Sequence, residues 1–231
     1  MPPIVGRMTT LMIDAGPVAE DAPVTRTGGV PLAPPGADWP RCATCEGPMQ
    51  FLAQILLADL GTATGTIAAI DSGADTGLLA LFMCQNDPGM CEEWEPGGGG
   101  NRALLLPAAG LHPLPLPEPG EDDDEEALLL GAVRAVTYEH AAEADYADAS
   151  EAWSERTGRK AYDHVLGQLG GTPSWLQHDE TPICTACSSP MPLVTQLEEG
   201  PDHLTAMNFG SGSAYAFACV PCAQAVFLWQ C

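Results

Sequence analysis

Positive charge is nearly missing from this chain. Its 231 residues carry eight Lys and Arg against 31 Asp and Glu, a formal net charge of −23. Lys160 is the one lysine, and no Lys or Arg follows it. Gripping a phosphate backbone needs cationic side chains, so nucleic acid is excluded as an expected partner. A surface of this sign suits a basic protein. Plain solubility is the simpler account of the same charge. Apolar runs of the roughly 18 residues that cross a bilayer are also lacking. The first residues do not show the basic-then-apolar pattern of a secretory signal. The expectation is a cytoplasmic protein that does not associate with membranes.

Catalytic signatures are scarce too. There is no Gly-x-Ser-x-Gly, no His-Glu-x-x-His and no phosphate loop with its lysine. The run Gly97 to Gly100 lacks the Lys-Ser/Thr that would follow such a loop and is taken as a hinge. His112, His140, His164, His178 and His203 are scattered, and no two share a metal-ligand spacing. His178 and His203 flank a cysteine turn as alternative ligands or as surface residues. Asp122 to Glu126 lacks the glycine-interrupted loop of a calcium site and is taken as solvated charge. With no candidate acid, base or nucleophile, the catalytic set is empty and a non-enzymatic role is expected.

What the chain does contain is a repeat. Adding 142 to Gly28, Gly29, Pro31, Pro40, Cys42, Cys45, Pro48, Met49 and Gln54 gives Gly170, Gly171, Pro173, Pro182, Cys184, Cys187, Pro190, Met191 and Gln196, without a gap. Two copies of one unit are therefore expected, at 28–100 and 170–231. A lead-in (1–27) precedes them. A middle segment (101–169) holds an acidic, proline-rich linker at 111–126, expected to be exposed and mobile.

Eight of the nine cysteines fall into two sets of four. The second set is Cys184-x2-Cys187 and, after 31 residues, Cys219-x2-Cys222. That is the spacing of a zinc ribbon, in which two turns point four thiolates at one centre. In a chain without a secretory signal, paired Cys-x-x-Cys turns favour zinc over disulfides. The first set is looser: Cys42-x2-Cys45, then Cys84-x6-Cys91. Two structural zinc ions are expected, and buried reduced cysteine turns are the alternative. Cys231 is left over and is expected to be buried. Gln54 and Gln196 sit at matching places in apolar strands. A buried amide needs partners, so backbone bonds are expected there, with a ligand role as the alternative. Trp175 follows a Gly-Gly turn and either packs or binds.

Periodicity places strands at 9–14, 49–60, 77–84, 102–108, 132–140, 193–198, 204–209, 214–218 and 226–229, with a loop at 60–77. Asp145 to Gly158 has the signature of a helix, with Gly158 as C-cap and Arg156 in its last turn. The fold class is α+β and β-rich, an internal duplication of a zinc-ribbon-containing unit with short helices.

At GGVP (28–31), WPRCATCEGPMQFLAQI (39–55), NDPGMCEEW (86–94), GGTPSWLQ (170–177) and AYAFACVPCAQAVFLWQC (214–231) the chain resembles the YwqG-like bacterial family, a domain of unknown function. That resemblance implies a duplicated β-rich fold. Many members lack the cysteines, so the metal reading rests on this sequence. Gly170, Gly171, Pro173, Trp175, Leu176, Cys184, Cys187, Cys219 and Cys222 also resemble the programmed cell death protein two family. That likeness implies an escort for a newly made basic ribosomal protein. An enzyme or small-ligand protein with a cleft between the repeats is the second reading, and redox sensing through the cysteine turns is the third.

Overall fold

A computed structural model describes residues 8–64, 77–118, 128–202, 205 and 207–231. The strands are β1 (Thr10–Pro17), β2 (Arg26–Thr27), β3 (Leu32–Ala33), β4 (Gln50–Leu56), β5 (Leu78–Met83), β6 (Asn101–Leu106), β7 (His112–Pro113), β8 (Arg134–His140), β9 (Val165–Leu169), β10 (Leu193–Glu198), β11 (Ser213–Cys219) and β12 (Gln224–Gln230). Helix α1 (Leu57–Thr64) follows β4, and α2 (Tyr146–Thr157) follows β8. Ten strands form one sheet in the order β12-β11-β10-β9-β1-β8-β2-β4-β5-β6. Every pairing in it is antiparallel. β3 and β7 form a separate small ladder.

The sheet curls until its end strands, β6 and β12, lie against each other. Trp229 N donates to Trp94 O at 3.4 Å there, and the two indoles meet edge to face. The enclosed face carries one apolar cluster drawn from both ends of the chain. Ala53, Ile55, Leu79, Leu81 and Met83 meet Val194, Leu197, Ala214, Ala216 and Phe227 within it. On the outer face, Phe51, Ala80, Phe82, Trp39 and Leu114 form a second cluster. Met191, Leu193, Tyr215, Phe217 and Leu228 form its counterpart on the other half. Strands buried on both faces have unbroken apolar sequences instead of alternating ones.

The 142-residue offset recurs in the backbone. Gly28 N donates to Leu52 O, and Gly170 N to Val194 O. Met49 N donates to Pro40 O, and Met191 N to Pro182 O. Isolated bridges join Arg41 to Pro48 and Ile183 to Pro190. Register shifts fall between Phe51 and Ala53 and between Leu193 and Thr195. Gly28, Gly29, Gly170 and Gly171 all have positive φ. A side chain at Gly28 would also place a Cβ 2.2 Å from Ala132 O, so the Gly-Gly turn needs glycine for both reasons. The fully buried Arg26 occupies the place of Gln168. Its guanidinium donates to Val30 O, as the Gln168 amide donates to Thr172 O. Burial lowers the Arg26 pKa, while Glu20 and Asp21 oppose that.

Helix α2 matches the expected helix. Asp145 caps its N-terminus by accepting from Ala147 N and Asp148 N, and Gly158 closes it in the left-handed conformation. Tyr146, Ala149 and Trp153 pack it onto Leu11, Ile13 and Val165. Four expectations are corrected. The strand placed at 49–60 stops at Leu56, and Leu57 starts α1, because Leu57 and Leu60 bury one helical face. The strand at 204–209 is not formed by Met207–Phe209. There Glu199 Oε2 takes the Phe209 and Ser211 N–H groups that a ladder would have used. Of the loop expected at 60–77, Leu60 to Thr64 belong to α1 and residues 65–76, like His203, Leu204 and Ala206, lie outside the described residues. The linker is not exposed throughout: Leu114 is buried and its N donates to Pro31 O, while 119–126 lie outside the described residues. Cys231 is exposed, since burial on β12 ends with Gln230. The lead-in also supplies the middle of the sheet, where β1 pairs with β8 and β9. Among the described residues no helix is long and apolar enough to cross a membrane.

Candidate metal centres

Each cluster is assembled from two turns at one end of the sheet. In the first half, the Cys42–Cys45 turn sits inside the Arg41–Pro48 bridge and is closed by Glu46 N→Cys42 O and Cys42 N→Gly47 O. In the second, Ser188 N→Cys184 O and Cys184 N→Ser189 O do the same. Glu46 and Ser188 both take positive φ, 62° and 58°, to make the turn. The second pair of thiols comes from the β5–β6 loop in one half and from the β11–β12 connection in the other. The latter is one 3-10 turn, Val220–Cys222, with Ala223 left-handed behind it. The former is the long loop 84–100, folded back on itself. Cys84 N donates to Gly100 O and Ala43 N to Gly99 O. A Cβ at Gly100 would lie 2.2 Å from Cys91 O. Gly98 to Gly100 are therefore packed against the loop and turn that carry the cysteines, which corrects the expected hinge; Gly97 alone stands in open space.

The geometry brings Cys42, Cys45, Cys84 and Cys91 together, and likewise Cys184, Cys187, Cys219 and Cys222. Within each group the sulfurs lie within 4.8 Å of one another. Cys45 Sγ and Cys84 Sγ are 3.6 Å apart, and Cys187 Sγ and Cys219 Sγ 3.8 Å. All nine cysteines are free thiols. A tetrahedron with metal–sulfur bonds of ~2.3 Å has sulfur–sulfur edges of about 3.8 Å, so the donor sets fit a thiophilic metal ion. Both groups can hold one.

The two clusters differ in cover. Cys42, Cys84 and Cys91 are buried and only Cys45 is exposed. In the second cluster Cys184 is buried, Cys219 and Cys222 are half-buried and Cys187 is exposed. Asn86 Nδ2 spans the first cluster, donating to Cys45 Sγ at 3.4 Å, Cys84 Sγ at 3.5 Å and Pro48 O at 3.3 Å. Sequence reasoning placed Asn86 in the loop but gave it no role. Without coordinates, nothing distinguishes it from an ordinary turn asparagine. At the second cluster the polar neighbours include Gln224, Thr185 and Ser189. Gln224 Oε1 lies 3.4 Å from Cys184 Sγ and accepts from Thr185 N.

Electrostatically, each cluster has one acidic thiol, again 142 residues apart. Burial pushes the Cys45 pKa up, but hydrogen bonds from Asn86, Gly47, Cys84 and Cys42 outweigh it and bring it down to about 7. Hydrogen bonds from Ser189 N, Cys184 and Ser189 Oγ bring Cys187 down to about 6. Their neighbours move the other way. Burial raises Cys84 to about 11, and the surrounding thiols raise Cys222 to about 12. Four sulfurs this close cannot all ionise without a cation among them, and a bound dication reverses that penalty.

The remaining predicted residues separate. Gln54 is fully buried and bonds backbone, accepting from Leu32 N at 3.0 Å and donating to Val24 O at 2.9 Å. Gln196 accepts from Ser174 N at 2.9 Å and from Gln168 Nε2. Leu32 and Ser174 are themselves 142 residues apart. Trp175 is half-buried, its ring tilted against Tyr215 at 4.4 Å and stacked on Phe217 at 5.8 Å. Trp175 packs against the apolar cluster that also holds Cys184. His178 is exposed beside Glu180 at 3.5 Å.

Sheet and thiols together define the class: a curled antiparallel β protein with a four-thiol cluster at each end. The chain belongs to the family described as Domain of unknown function (DUF1963), whose model matches residues 25–221. A YwqG-like identity is consistent with that family. A comparison with curated proteins finds no match.

Proposed function

We propose that the chain is an internally duplicated, zinc-stabilised module that binds proteins and has no catalytic role, and that it escorts or neutralises a basic partner in the cytoplasm. The observation that carries this reading is the composition of the clusters. Four thiols each complete the tetrahedral shell that zinc prefers and leave no open position for a substrate. Zinc there contributes folding free energy, on the order of 10 kcal/mol in small modules.

Three further observations support it. The paired hydrogen bonds, bridges and register shifts at one offset are what a duplication of the units 28–100 and 170–231 would leave. The charge of −23, with no base after Lys160, favours a basic partner. The space between the two halves is filled by the shared apolar cluster, which weighs against a ligand cleft at that place.

Metal analysis of the purified, reduced protein tests the first part. Two zinc ions per chain are expected, and a metal-free, folded protein would overturn it. Pulldown from the native host tests the second. A basic protein whose recovery falls with salt is expected; recovery of no basic protein at low salt defeats the escort reading.

A further inference from the structure

The two halves are not covered alike. In the first, Gly29 to Ala33 are buried. Strand β3 there pairs with β7, Leu32 opposite Pro113 and Ala33 opposite His112. Leu114 N donates to Pro31 O at 2.9 Å. Leu114 then packs with Leu32, Trp39 and Phe82 over the outer face. The covering strand, β7, is part of a leucine- and proline-rich stretch, LHPLPLP from Leu111 to Pro117.

The matching edge in the second half is Pro173, Ser174 and Trp175. It is held in the same way, with Ser174 N on Gln196 Oε1 where the first half has Leu32 N on Gln54 Oε1. Yet no strand among the described residues pairs with it. The Pro173 carbonyl, counterpart of the one that takes Leu114 N, accepts no backbone donor among the described residues. Pro173, Ser174 and Trp175 are half-exposed, and Leu176 is 52% exposed. Beneath them lie Tyr215 and Phe217, both buried, with the half-exposed Trp175 ring packed on them and the Tyr215 hydroxyl donating to Ser174 O. Ile183, also exposed, lies in the same half beside the Cys184 turn. The carboxylates next to this edge in sequence are Asp179, exposed, and Glu180, half-buried, just after Leu176.

We propose that the Pro173–Leu176 edge is a docking site that takes, by strand addition, an extended leucine- and proline-containing segment of a basic protein. The intramolecular cover of the first half supplies the shape of the occupant, and Asp179 and Glu180 call for flanking lysines or arginines on it. The main chain of such a segment pairs with the edge, and its alternate side chains meet the half-exposed Trp175 ring and Leu176. The charge of the occupant rests on the basic-partner reading above; the strand addition rests on the unequal cover.

The test uses the full-length protein and a synthetic peptide carrying GLHPLPLP between pairs of lysines. Saturable binding is expected, followed by fluorescence anisotropy of the labelled peptide. Leu176→Asp, at an exposed position, weakens it by about tenfold or more, as a lost apolar anchor does. Replacing the peptide lysines with glutamates weakens it further. Binding that Leu176→Asp leaves unchanged, or no saturation at millimolar peptide, overturns the proposal. Concentration-dependent dimerisation that Leu176→Asp abolishes would name a second copy as occupant and overturn the assignment to a basic protein. In pulldown, a basic partner retained by Leu176→Asp removes the docking site while leaving the escort reading intact. Failure of the wild-type chain to recover any basic protein, with peptide binding intact, removes the escort reading and the basic charge assigned to the occupant and leaves the strand addition standing.

Discussion

Asn86 and Glu198 show how much a single side chain does in this fold. The Asn86 amide touches two sulfurs and the Pro48 carbonyl. It therefore ties the long loop of the first cluster to the Cys42–Cys45 turn. Donors to ligand sulfur hold ligands in place and tune a metal. Asn86→Ala is expected to weaken metal retention at the first cluster by about 10–100-fold, read by competition with a coloured chelator, and to leave the second cluster unaffected. Equal retention in variant and wild type would remove the clasp. Glu198 is a different case. Burial raises its pKa, while hydrogen bonds with Tyr146, Ser213 and Gln196 oppose that. A carboxyl whose folded pKa lies above its unfolded value of about 4.3 carries no penalty while protonated in both states. The penalty grows as pH rises from the unfolded to the folded pKa, and stays constant above. Glu198→Gln should therefore raise the melting temperature at neutral pH and lose that advantage below the unfolded carboxylate range. A gain of the same size at both ends of a pH series would show that the carboxylate charge is not its cause.

Among the elements, what separates the two clusters is the connection that supplies their second pair of thiols. A seventeen-residue loop between β5 and β6, Cys84 to Gly100, wraps the first; a single 3-10 turn closes the second. An incoming ligand or proton must reach sulfur to release a metal, and access governs thiolate reactivity. Chelator added to the reduced, loaded protein should therefore remove metal in two phases of equal amplitude. Cys187→Ser should abolish the fast one. A single phase, or a fast phase surviving that change, would contradict the assignment. Much at this scale is legible in sequence. The paired Cys-x-x-Cys turns announce both clusters, and Asp145 and Gly158 announce α2, because turns and caps are local chemistry. Gln54 and Gln196 announce their backbone bonds because a buried amide must be satisfied. Elements defined by distant partners are not legible. Nothing local separates Leu57–Thr64 from the strand before it. β9 contains Gly167 and Gln168, poor strand formers that hold their place because β1 and β10 pair on either side. The exposed Pro173 edge is visible only by comparison with the covered one.

For the whole molecule, the strand order matters more than either cluster. β1 pairs with β9 and β8 with β2, so each half receives a strand from the sequence preceding the other half. β1 and β8 then pair with each other at the middle of the sheet. The end strands meet around one apolar cluster to which both halves contribute. Neither half can therefore lose its structure without exposing apolar surface of the other, at roughly 25 cal/mol per Å². A single cooperative unfolding transition is expected for the loaded protein, despite its two cysteine clusters. Variants that keep only Trp39, in the first half, or only Trp175, in the second, report each half by fluorescence during denaturant titration. Coincident midpoints with each other and with the loss of β-sheet circular dichroism are expected of a two-state unit. Stripping the more exposed second cluster should then lower both midpoints together, since its loss is felt through the shared core. If the Trp175 transition alone moved, the halves would be independent domains, and the cross-paired central strands would not couple them.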